Sequence, residues 1–98
     1  MTNIAIDLPD DIDEGTWKEK GRVGGVRLEH EGRQYTLTFY DSVRLQQDAQ
    51  SDVELNGYFL EPNAVVVRSI DRRHIEEAIR ALVDKGWHRM LLPEKNAE

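Results

Sequence analysis

The stretch VRLEHEGRQYTLTFY, Val26 to Tyr40, decides the fold. Its first arm places Val26, Leu28 and His30 on one side of an extended chain, with Arg27 and Glu29 on the other. Its second arm places Tyr35, Leu37 and Phe39 on one side, with Thr36, Thr38 and Tyr40 opposite. Between the arms, Glu31-Gly32 supplies a two-residue loop, and Gly32 can take the positive φ that a tight hairpin demands. Two alternating arms about such a loop predict an antiparallel hairpin with one buried face and one wet face. Tyr40 is expected on the wet face, pointing outward.

Toward the N-terminus, GRVGGVR (residues 21–27) is rich in glycine. It has neither the spacing of a dinucleotide-binding loop nor the lysine of a P-loop, so it reads as the start of the first arm. Residues 1–22 look separate from the rest. Ile4, Ile6 and Leu8 alternate with polar or small neighbours and predict a short edge strand. The following PDDIDEGTWKEKGR is polar, broken by Pro9 and Gly15, and has Trp17 as its one large apolar anchor. It reads as a loop pinned by that tryptophan, with room for a short helical turn. The sequence leaves the order of these 22 residues open.

Beyond the hairpin, Val43 and Leu45 keep the strand period while Asp41 falls on its apolar face, which places a bulge or a strand end near Asp41-Ser42. QQDAQSD (residues 46–52) has no apolar side chain larger than alanine and reads as a loop. VELNGYFLE (residues 53–61), interrupted by Asn56-Gly57, reads as a kinked strand or two short segments. After a turn at Glu61-Pro62-Asn63, the run Ala64–Val67 reads as an interior strand buried on both faces.

The period then changes. Ile75, Ala78, Ile79, Leu82 and Val83 recur at helical spacing and form one apolar stripe. Asp71 is placed to cap the helix, Ile70 and Ile75 to staple it, and Gly86 to stop it, with Trp87 able to fold back on Leu82. HRMLL reads as a last short strand ended by Pro93, and EKNAE as a frayed tail. The expected fold is a single α+β domain over residues 1–98. It is an antiparallel meander of four to five strands with one C-terminal helix packed on one face. The helix stripe and the Val26, Leu28, Tyr35, Leu37 and Phe39 face share its core.

The chain has 98 residues and no cysteine, which excludes disulfides, thiolate metal sites and a cysteine nucleophile, and suits a cytoplasmic setting. No apolar run is long enough to span a bilayer, and the first residues do not form a signal peptide, so no membrane role is expected. The formal net charge is −6. The first 62 residues carry the whole excess of acid, and residues 63–98 are slightly basic. Such a charge repels nucleic acid and favours a basic protein partner.

Two groups of side chains stand out. Asp10, Asp11, Asp13 and Glu14, together with Tyr40, are the candidate partner-binding residues. Arg72, Arg73 and His74 crowd the first turn of the C-terminal helix, where the dipole disfavours cations, and are candidates for holding an anion or an acidic partner. His74 and Glu77 would give a metal two ligands at most, and His30 and His88 lie on other elements, so no metal and no cofactor is expected. The acidic loop fails as an EF-hand, because Ile12 falls at a ligand position and Gly21 where the bidentate glutamate belongs. Ser42, Ser51 and Ser69 lack the setting of a nucleophile, so no catalytic residue is assigned. The expectation is a small acidic non-enzymatic interaction protein that binds another macromolecule, for example as a neutralising or regulatory subunit. The alternatives are a small-ligand or anion-binding domain with a pocket at the helix N-terminus, and a homodimeric structural module.

Overall fold

The computed structural model describes residues 4–9 and 13–94. In chain order it contains β1 (Ile4–Asp7), α1 (Glu14–Lys20), β2 (Arg22–His30), β3 (Arg33–Tyr40), α2 (Ser42–Asn56), β4 (Ala64–Val66), α3 (Arg72–Asp84) and a closing 3₁₀ helix (Trp87–Met90). The strands form one sheet in the order β1-β2-β3-β4.

The α+β class holds, but the sheet is not a pure antiparallel meander. β1 pairs antiparallel with β2, and β2 with β3, as the alternating arms require. β4 runs parallel to β3, with Thr38 opposite Ala64 and Tyr40 opposite Val66. Parallel neighbours need a long crossover, and α2 supplies it. The segment expected as a loop and a kinked strand is therefore helical up to Asn56. Asp41, which broke the strand period, is the N-cap of α2: its carboxylate accepts from the Arg44 backbone N–H at 2.8 Å. Gly57 closes the helix at φ 90°. β4 is also not interior. It lies at the sheet edge, and Ala64 and Val66 are exposed.

The hairpin forms as expected. His30 pairs with Arg33, and both loop residues have positive φ, 52° at Glu31 and 79° at Gly32. The bulge lies in β2 rather than near Asp41. Gly24 and Gly25 together face Thr38, because the register jumps from Val23–Phe39 to Val26–Leu37. That extra residue lets Val23 and Val26, three apart, both point inward.

The core follows. Val23, Val26, Leu28, Tyr35, Leu37 and Phe39 of the sheet meet Ile70 and the α3 stripe Ile75, Ile79 and Val83. Trp17 joins them from α1. The residues read as a pinned loop thus make a seven-residue helix, capped by Asp13 and ended by Gly21 at φ 71°. α3 begins and stops where the sequence indicates. Asp71 accepts from the His74 N–H at 2.9 Å, Ile70 and Ile75 are fully buried, and Gly86 is left-handed at φ 73°. HRMLL is not a strand; its chain continues the 3₁₀ helix to Met90. Glu94 is not frayed. Its N–H donates to the Gln34 carbonyl at 2.7 Å, and its carboxylate accepts from the Thr36 hydroxyl and pairs with Arg27. Two hydrogen bonds of 2.8 Å between the Asn63 side chain and the Leu92 backbone fasten the same tail.

Candidate functional site

His30 ends β2 on the buried face, and both it and His88 are 7% exposed. The 3₁₀ helix after Gly86 carries His88 back under the hairpin, where its ring meets that of His30 edge to face at 4.8 Å between centroids. Glu31 follows His30 in sequence and would point to the opposite face in a regular strand. Its left-handed backbone instead aims its carboxylate at His30 Nε2, 2.8 Å away. One ligating atom from each of His30, Glu31 and His88 lies within 4.8 Å of the other two. These three side chains border a cavity of about 380 Å³ that Arg33, Tyr35 and Arg89 complete. The Nδ1 atom of His88 is buried and has no hydrogen-bond partner. The sequence reading named both histidines but did not join them, because they lie on elements far apart in the chain.

The start of α3 brings together residues from both groups that the sequence singled out. The Arg72 backbone N–H donates to the Glu14 carboxylate at 2.9 Å, so a side chain of α1 occupies the positive end of the α3 dipole. Asp71 occupies it too, and the His74 N–H bond holds the Asp71 carboxyl below its ordinary pKa. His74 Nδ1 lies 2.7 Å from the same Asp71 oxygen, and Arg73 reaches His74 Nε2 at 3.4 Å. With Nδ1 protonated, the ring donates to Asp71 and accepts from Arg73. The two arginines and the histidine thus stand beside carboxylates that the protein itself supplies. Asp13 caps α1, and its carboxyl is likewise lowered, chiefly by the Thr16 N–H. Asp10 and Asp11 lie outside the described residues.

Tyr40 does not point outward, as the alternation predicted. It is 2% exposed, and its hydroxyl donates to Glu61 and accepts from Arg22 Nε at 3.3 Å. Burial foremost, helped by the Glu61 bond, raises its pKa; the Tyr40 bond raises that of Arg22. The carboxylate that holds it comes from the segment after α2, which the sequence reading placed in a turn.

A different surface is free of such internal pairing. α2 contributes no buried residue. Leu55 is 78% exposed and Leu60 81%, and Val43, Val53 and Tyr58 are each more than half exposed. The Asn63–Leu92 bonds bring exposed Leu92 to the chain that follows Leu60. Residues 45–61 contain four acids, Asp48, Asp52, Glu54 and Glu61, and no base. Among the described residues, no helix is long and apolar enough to cross a membrane. Comparison with protein-family models, with curated proteins and with solved structures gave no match.

Proposed function

We propose that this protein is a non-enzymatic binding module that docks a basic partner protein through the C-terminal half of α2 and the segment that follows it. The observation that carries the reading is the exposure of Val53, Leu55, Tyr58 and Leu60 within eight residues, on a helix that adds nothing to the core. Isolated exposed apolar residues are ordinary, whereas several close together mark contact surfaces. The acids around them have no neighbouring base in residues 45–61, so the surface favours a partner with an apolar centre and a lysine- or arginine-rich rim. Glu14 and Asp13 are committed to helix ends, which moves the proposed contact from the N-terminal acids to the acids of α2.

Affinity capture on the immobilised full chain tests this. Wild type retains a protein of basic character, and raising the salt releases it. The double variant Leu55→Asp, Leu60→Asp fails to retain it while keeping its circular dichroism spectrum. Retention unchanged in that variant, or no basic protein retained at micromolar concentrations, refutes the reading.

A further inference from the structure

The geometry points to a divalent transition-metal site made by His30, Glu31 and His88, with nitrogen and oxygen ligands of the kind zinc takes. Two imidazoles and one carboxylate are a three-ligand set that leaves a coordination position open. Tetrahedral zinc with bonds near 2.1 Å sets its ligand atoms about 3.4 Å apart. The three atoms lie within 4.8 Å, so a modest closure completes the set. Glu31 is the member able to make it, since its side chain is 72% exposed.

Two further observations favour a ligand here over simple packing. A buried imidazole nitrogen without a partner, Nδ1 of His88, costs desolvation energy with no compensating bond. Glu31 also holds a left-handed backbone, φ 52°, at a loop position where asparagine, aspartate or glycine sits with less strain. Glutamate there gives up hairpin stability and places a carboxylate beside two histidines. Strain of this kind, retained at a cluster of ligating groups, is a mark of functional sites.

Arg33 and Arg89 border the same cavity and oppose a bare dication. They suit a metal whose open position carries a small anion, which the two guanidinium groups would flank. The arginines therefore bear on the exogenous ligand, and the three other side chains on the metal.

The test uses the full chain and two metals. Titration with Co²⁺ gives a visible d–d absorption band that saturates at one equivalent, and Zn²⁺ displaces it. E31Q, altered at an exposed residue, weakens Co²⁺ binding roughly tenfold or more. H88Q abolishes the band; if H88Q does not fold, E31Q alone decides. Absence of the band in wild type, or E31Q binding as tightly as wild type, overturns the proposal. So does a thermal shift produced by inorganic phosphate alone and not by Zn²⁺, which would make the cavity an anion site.

Discussion

The Asp71 carboxylate accepts from the His74 N–H, and that bond foremost holds its pKa below the reference value of 3.8. A depressed carboxyl stabilises the fold above its unfolded pKa, and the contribution is lost as pH falls through the lower folded value. Asp71→Asn keeps a capping oxygen but cannot titrate, so its stability falls less steeply than that of wild type below about pH 4. Asp71→Ala loses the cap and about 1 kcal/mol at neutral pH. Urea midpoints measured from pH 3 to 7 report both effects, and parallel pH profiles for wild type and Asp71→Asn would refute the first. Asp71, Ile70 and Gly86 were legible in the sequence because a cap, a staple and a stop act within a few residues. His30 and His88 were not. Each has an ordinary place in its own element, and only the folded chain brings their rings together.

α3 and α2 differ in what they bury, and that difference decided which could be read. The stripe of α3 faces the sheet, so its spacing records a partner: Ile75, Ile79 and Val83 are all buried. α2 buries no residue, so its apolar side chains record no face, and residues 46–52 looked like a loop. Its local signals were present but were assigned to a strand. Asp41 was taken as a break in alternation and is a cap; Asn56-Gly57 was taken as a kink and ends the helix. Mutation should reproduce the contrast. Ile79→Ala costs about 2–5 kcal/mol in urea denaturation. Leu55→Asp changes stability by no more than roughly 0.5 kcal/mol. A loss above 2 kcal/mol for Leu55→Asp would show that α2 is fastened more firmly than its exposure indicates.

At the scale of the molecule, the β2–β3 hairpin and α3 form the stable body, joined through one apolar cluster that also takes in Trp17. The hairpin and its buried face could be read because adjacent strands leave their register in the sequence. The parallel placement of β4 could not, since it depends on how the chain from Tyr40 to Ala64 travels. Native-state hydrogen exchange should separate the two parts. Amides of β2, β3 and α3 exchange only through global unfolding, whereas those of α2 exchange through local opening at lower free energy. Equal protection across all four elements would contradict this.

The crossover from β3 to β4 touches the body at few recorded points: Arg44 donates to the Lys20 carbonyl at 2.9 Å, Glu61 receives the Tyr40 hydroxyl, and Asn63 bonds Thr36 and Leu92. The sheet therefore constrains where this segment departs and returns, and leaves the helix between them free to vary. Mutation can rewrite the outer residues of α2 without first repairing a core, so surface specificity and fold stability are able to diverge independently. The crossover is then a ready place to graft a foreign helix onto the scaffold, provided that Asp41, Arg44, Glu61 and Asn63 are kept.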